Sequence, residues 1–386
     1  MPDSAWFSSP LLSIVKQLAE RVRAQIPAPR GPRVLLLPAL GGSYLGRRGS
    51  PHDDVVWVDL HGIRAGRLLE LAYGGPQLEA LDVFEPLYLQ MILRLRLAGY
   101  DVGTHAFDWR RPIRSLGEEL STRLRAEGRE VHLVTHSLGS LVARAAAVVG
   151  TPNLGKVIMM GPPNHGSLSA VQGIRGSHWV LHGLAALDGR SAAELSEKVF
   201  GTWPSMYAQL PERAAAIGFD LYDPDQWPAV GLHPRRELLL GAPAVQAWLA
   251  AARGQFHVIA GHGLPTAEHV SIRDGAFRYD RSDAGDGFVS TSSARLDGYP
   301  CYHAHSAHIG MPNHSAVIGA VEDILAYGTT DRLSQRAPPW AACPPFTDTE
   351  RAESPFQGRR GNEISVSDVR AALDELAGFV VPMPIV

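Results

Sequence analysis

The segment Thr135-His136-Ser137-Leu138-Gly139 lies between a short apolar run, 131–135, and an alanine-rich stretch, 138–149. A serine set between a buried strand and a helix, with the small Gly139 and Ser140 behind it, has the pattern of a strained turn that presents a hydroxyl as a nucleophile. Thr135 stands where such turns usually have glycine. A serine hydroxyl attacks a carbonyl only when a base takes its proton. In proteins with this turn the partners follow later in the chain, the acid before the histidine. Asp286, in Gly285-Asp286-Gly287-Phe288-Val289-Ser290, is the candidate acid, although an Asp-Gly pair is also an ordinary turn signal. Four histidines come next: His303, His305, His308 and His314. His314 is the chosen base, because Pro312-Asn313-His314-Ser315 leads directly into the apolar helical stretch 317–326; His308 is the alternative. Acyl transfer also needs donors for the charge that develops on the carbonyl oxygen. The expected donors are the N–H of Leu138, next to the nucleophile, and that of Gly41, in the tight loop Pro38-Ala39-Leu40-Gly41-Gly42-Ser43.

The four histidines could also suggest a metal site. No paired cysteine or carboxylate accompanies them, and no His-Glu-x-x-His occurs, so zinc is not expected. The acyl-transfer chemistry itself calls for no metal or organic cofactor.

The elements that would hold these residues can be read from apolar runs. Strands are expected at 33–38, 55–60, 100–107, 131–135, 156–160 and 256–260, and helices at 84–97, 115–125 and 138–149. Such alternation gives an α/β chain with a mostly parallel sheet covered on both faces. The alternation stops at about residue 165 and resumes at about 252. The stretch between holds Trp179, Trp203, Trp227 and Trp248, four of the eight tryptophans. It reads as a helical insertion over the sheet edge where open α/β sheets bind ligands. The expected organisation is therefore an N-terminal amphipathic helix (1–32), a core (33–165 and 252–328), a helical cap (166–251) and a C-terminal extension (329–386). In that extension Pro338, Pro344 and Pro345 mark an irregular linker, and 367–376 a last helix capped by Ser367.

Composition narrows the function. The 386 residues are 45% hydrophobic and 19% charged, and 36 Lys plus Arg against 39 Asp plus Glu leave a formal charge of -3. Nothing here favours a nucleic-acid partner. Cys301 and Cys343 are expected as free thiols. Lys16, Glu20, Arg21 and Arg23 break any apolar core of a signal peptide, and no apolar stretch is long enough to span a membrane; a cytoplasmic protein is expected. Leu11, Ile14, Val15, Leu18 and Val22 form one helical stripe. It is expected to pack on the body, with contact to a membrane surface as the other reading.

Taken together, these segments resemble the lecithin–cholesterol acyltransferase family, a branch of the lipase-type α/β-hydrolases, over most of residues 33–328. The resemblance rests on Pro38–Ser43, on Phe107-Asp108-Trp109-Arg110, on 135–139, on the cap segments 201–211 and 220–227, on 285–289 and on Asn313-His314. Ala39 stands where that family has glycine, and residues 166–251 contain no cysteine for its cap disulfide. The resemblance implies the α/β-hydrolase fold, a mostly parallel central sheet with a helical cap insertion, and catalysis by Ser137, Asp286 and His314. It implies an ester-cleaving or acyl-transferring enzyme with a lipid-like or other apolar acyl ester as substrate; a hydrolase is expected, because water is always present and transfer needs additional acceptor binding. Transfer of the acyl group to an alcohol is the alternative, and a non-catalytic ligand-binding protein on the same scaffold a third reading. Trp109, Trp179, Trp203 and Trp227 are the residues expected to line an apolar substrate tunnel, with core packing as the plainer role of each.

Overall fold

In the computed structural model, which describes residues 9–24, 31–349, 363–365, 367, 368 and 371, six strands form one sheet. They are β1 (Arg33–Leu37), β2 (Asp101–Thr104), β3 (Val131–His136), β4 (Leu154–Met160), β5 (Gln255–His262) and β6 (Cys301–His305). Their order is β6-β5-β4-β3-β1-β2, and every neighbouring pair is parallel. The chain leaves β1 for β2 on one side and returns to β3 on the other. This reversal puts the loops after β1 and β3 next to each other, since Leu37 pairs with Thr135. Open α/β sheets bind ligands at such a switch point.

Alternation along each strand assigns the apolar residues to two cores. Leu35, Leu37, Leu133, Val157, Met159, Val258 and Ala260 face one layer, with helices Ile113–Ala126 and Leu138–Val149. Val34, Leu36, Val134, Ile158, Met160 and Ile259 face the other, with helices Glu85–Leu97 and Ser315–Tyr327. The helix Ser9–Ala24 buries Leu11, Val15 and Leu18 against Leu93 and leaves Ile14 exposed.

Between β4 and β5 come the helices Leu168–Arg175, Trp179–Asp188, Ala192–Lys198, Pro204–Ala208 and Arg236–Leu249. Two antiparallel systems go beyond the expected alternation. Ser43–Arg47, Asp54–Trp57 and Glu79–Val83 form a separate three-stranded sheet. The expected strand 55–60 is thus shorter and off the main sheet. Asp59 ends it, because its carboxylate accepts the His61 and Gly62 N–H groups and starts the helix Leu60–Arg64.

The second system joins segments that the sequence separates. Thr266–Arg273 pairs antiparallel with Ala276–Ser282, which pairs with Ala342–Thr347. On the far side Thr266–Arg273 pairs with Ala216–Ile217. Cap, core and C-terminal extension therefore share one sheet, and the linker expected around Pro344 and Pro345 is instead a strand. Both prolines are tolerated because the strand lies at the edge and its register slips between Tyr279 and Arg281. Arg175 of the cap donates to the Asp348 carboxylate at 2.6 Å, both side chains nearly dry. Cys301 and Cys343 are free thiols. Of the expected helix 367–376, residues 367, 368 and 371 are helical and the others lie outside the described residues. Its start is set by Ser365, whose hydroxyl meets the Asp368 N–H at 3.1 Å, rather than by Ser367.

This arrangement predicts that ending the chain at residue 328 uncovers Tyr279, which is fully buried, and leaves the Arg175 guanidinium without its carboxylate. The truncated chain should melt well below the full chain. The single substitution Asp348→Ala should cost about 3 kcal/mol in chemical denaturation. Coincident unfolding curves for parent and truncation would contradict the shared sheet.

Candidate active site

Ser137 is the residue at which β3 becomes a helix. Its backbone sits at φ 53 and ψ -120, a strained region for a residue with a side chain. The turn is pinned from both sides. The Ser137 N–H donates to the Met160 carbonyl at 2.8 Å, and the Ser137 carbonyl accepts from Ser140 N–H at 2.9 Å. The following helix runs close under β1, so a Cβ on Gly139 would stand 2.6 Å from the Pro38 carbonyl oxygen. Thr135 fits where glycine is usual because its hydroxyl is used: it lies 2.8 Å from Ser140 Oγ and 3.3 Å from the Ile158 carbonyl.

The Asp286 carboxylate is 1% exposed and fully engaged. Oδ1 accepts the N–H groups of Phe288 at 3.0 Å and Val289 at 2.8 Å. Oδ2 meets His308 Nδ1 at 2.7 Å. The backbone repeats the contact, since His308 N–H donates to the Asp286 carbonyl at 2.9 Å. Gly161, just past β4, leaves room for the pair: a Cβ there would come within 2.9 Å of His308 Nδ1 and 3.1 Å of Asp286 Oδ2. His308 thus lies over the C-terminal end of the strand beside β3.

His314, the base chosen from the sequence, is not brought to Asp286. It is the residue before the helix Ser315–Tyr327. Its Nδ1 is buried without a partner, and burial together with His305 pushes its pKa below the usual histidine value. The histidine that the structure joins to Asp286 is His308. His303 and His305 lie on β6, where His305 packs edge-on to His262.

The loop after β1 is a tight turn in which Gly42 N–H donates to the Ala39 carbonyl at 2.9 Å. Gly41 occupies its left-handed position at φ 73. The turn's own hydrogen bond uses the Gly42 amide and not that of Gly41. Trp57 holds the next peptide by donating its indole N–H to the Gly41 carbonyl at 2.7 Å. Leu138, fully buried, supplies the first amide of the helix behind Ser137.

The four tryptophans divide. Trp179 is half-buried and meets Phe288 edge-on, and Phe288 stacks on the His308 ring with centroids 4.9 Å apart. Trp109 and Trp203 are buried against each other at 4.8 Å, their indoles bonded to the Ser43 and Leu71 carbonyls. They build core that supports Trp57, which packs on Trp109 at 5.9 Å. Trp227 packs on Phe277 in the second sheet and donates to the Leu221 carbonyl. Of the four, Trp179 alone reaches the aromatic residues around His308. Asp108 and Arg110 form a buried bidentate pair within their own turn.

Tyr88, Trp57 and Phe288 were not singled out from the sequence. Tyr88 and Trp57 sit in apolar runs and Phe288 in a glycine-flanked turn, and the partner of each is remote, Ala39 for Tyr88, Gly41 for Trp57 and His308 for Phe288, so no local spacing marks them. Among the described residues no cluster of three or more His, Cys, Asp or Glu is placed to hold a metal ion, and no helix is long and apolar enough to cross a membrane.

No family model matches the chain, and no curated protein matches it. Solved structures do. The chain is similar to Bacillus licheniformis lipase BlEst2 in its mature form, at 16% identity over 80% of this chain and 96% of that one, with a TM-score of 0.38. It is similar to phospholipase PlaB from Legionella pneumophila, at 12% identity over 77% and 57%, with a TM-score of 0.35. The crystal structure of the Tle4–Tli4 complex shows 13% identity over 90% of this chain and 98% of the other, with a TM-score of 0.50. At these identities the likeness is one of fold. The chain has the α/β-hydrolase fold, with a mostly parallel central sheet and a helical insertion between its fourth and fifth strands.

Proposed function

We propose that this protein is a serine-dependent ester hydrolase that works through an acyl-enzyme on Ser137, with His308 as its base and Asp286 as the acid that orients it. The observation that carries this reading is the 2.7 Å contact between His308 and the buried Asp286 carboxylate, beside a serine held at positive φ between strand and helix. The Asp286 Oδ2 contact fixes the proton on His308 Nδ1 and leaves Nε2 to accept. Ser137 Oγ attacks the ester carbonyl as His308 Nε2 takes its proton. The amides of Leu138 and Gly41 donate to the oxygen that becomes negative. His308 then protonates the departing alcohol. Water attacks the acyl-enzyme with His308 again as base, which releases the acid and restores Ser137.

A lipid-like or other apolar acyl ester is the proposed substrate. Trp179 and Phe288 supply an apolar wall beside His308. The resemblance of 38–43, 107–110, 135–139 and 285–289 to the lecithin–cholesterol acyltransferase family supports the same substrate class.

Turnover of p-nitrophenyl esters of short, medium and long acyl chains tests this reading. Ser137→Ala should lower kcat by at least about 10³-fold with the melting temperature unchanged. Ser137→Gly should be equally inactive yet more stable by about 1 kcal/mol, because glycine adopts this backbone without strain. Undiminished turnover in Ser137→Ala would refute the acyl-enzyme. A second comparison assigns the base. His308→Ala should lose turnover and His314→Ala should keep it; the opposite pattern would return the role to His314.

A further inference from the structure

Two side chains outside the proposed triad link two backbone groups in one continuous hydrogen-bonded path across the site. The Ala39 N–H donates to Tyr88 Oη at 2.9 Å. Tyr88 Oη lies 3.0 Å from His136 Nδ1. His136 Nε2 lies 3.0 Å from the backbone carbonyl of His308. Tyr88 is fully buried and His136 is 1% exposed, so each polar atom depends on these partners.

The chemistry of the atoms fixes every direction. A carbonyl oxygen can only accept, so His136 Nε2 carries a proton and donates to His308. Burial and the neighbouring His308 hold the His136 pKa well below the usual histidine range, so the ring is neutral and Nδ1 is an acceptor. Tyr88 must then donate its hydroxyl proton to His136, and its oxygen lone pair receives Ala39 N–H. No group has a second consistent role. The path starts in the loop that bears Gly41, crosses the residue next to Ser137, and ends on the backbone of the base.

We propose that Tyr88 and His136 are positioning residues, which hold the loop after β1 and the His308 backbone at fixed distances from Ser137. The proposal rests on the serine-hydrolase reading. The Nδ1 contact with Asp286 fixes how the His308 ring is turned, and the bond from His308 N–H to the Asp286 carbonyl ties one side of its backbone to the same residue. His136 restrains the His308 carbonyl on the other side, from the strand that leads into Ser137. It also explains why a two-ended side chain stands beside Ser137: an aliphatic residue would fill the space and bridge nothing. The rings are packed as well as bonded, with the His136 centroid 5.9 Å from Tyr88 and 5.0 Å from His308.

The test uses the full chain and three substitutions, with kcat, KM, the rate of covalent labelling of Ser137 by a fluorophosphonate, and the melting temperature as readouts. His136→Leu removes the donor to His308. His136→Gln loses the ring but can place its amide nitrogen where Nε2 was. Tyr88→Phe keeps the ring and removes the hydroxyl. His136→Leu should lower kcat and the labelling rate by roughly 10- to 100-fold with KM held, the scale expected of a misplaced reacting group. Tyr88→Phe should lose about tenfold. His136→Gln should recover most of the rate that leucine loses, although both substitutions lower the melting temperature. That rescue separates positioning from packing. Equal rates for glutamine and leucine, or parental rates in Tyr88→Phe, would overturn the proposal while labelling of Ser137 in the parent left the hydrolase reading intact. Absence of labelling at Ser137 in the parent would overturn both.

Discussion

A carboxylate removed from water is tolerated only when its lone pairs are met by donors, and Asp286 is 1% exposed. Much of the site's architecture follows from meeting that demand. The turn 286–289 folds back so that two of its own amides reach Oδ1. The loop after β6 runs past it so that His308 reaches Oδ2 by side chain and the Asp286 carbonyl by backbone. β4 is followed by Gly161 and β5 contains Gly261, positions where a Cβ would collide with the Asp286–His308 pair or the Asp286 Cβ. Four separate stretches of chain thus converge on one carboxyl group. The two amide contacts are local, within three residues of Asp286, whereas those with His308 come from a separate loop and form only once the sheet has brought the two segments together.

The other half of the site comes from the sheet's reversal. β1 and β3 are adjacent and end together, which sets the loop 38–43 beside Ser137. Trp57, from a different small sheet, closes that loop from above through the Gly41 carbonyl. The run of edge-on and tilted ring contacts Trp57–Trp109–Trp203–Phe200 behind it backs the loop with packed aromatic core. In the proposed mechanism a flexible loop here would forfeit donors fixed in advance, which are the source of most such stabilisation.

What the sequence disclosed and what it concealed follow one physical distinction. Ser137 was legible because a strand, a strained residue and a helix are contiguous, and each leaves a local mark: apolar run, small residues, alanine-rich stretch. The helix Leu138–Val149 has the expected bounds. Asp286 was legible as an Asp-Gly turn in a suitable order. His308 was outweighed by His314 because the helix after His314 gives a strong local signal, whereas the contact of His308 with Asp286 is made across 22 residues of intervening chain. The second sheet was illegible for a related reason. Thr266–Arg273 and Ala276–Ser282 alternate charged and apolar residues, as a one-sided sheet does, and have no long apolar run. Pro344 and Pro345 read as breakers when only an edge strand with a slipped register could accept them. Trp203 and Trp227 could not be told from pocket residues, because composition gives no direction to a side chain.

The strand Ala342–Thr347 closes on Ala276–Ser282, more than sixty residues earlier in the chain, and Arg175 waits for Asp348, 173 positions ahead of it. During synthesis the turn at Ser137 and its sheet neighbours β1 and β4 emerge early. The Phe277–Tyr279 edge and the buried guanidinium of the cap stay uncovered until almost the whole described chain has left the ribosome. Contacts this distant in sequence form slowly and expose strand edges while they wait. For a nascent chain, pairing of Ala342–Thr347 is therefore the step that covers this edge, and chaperone engagement would be longer at the second sheet than at the sheet that holds Ser137.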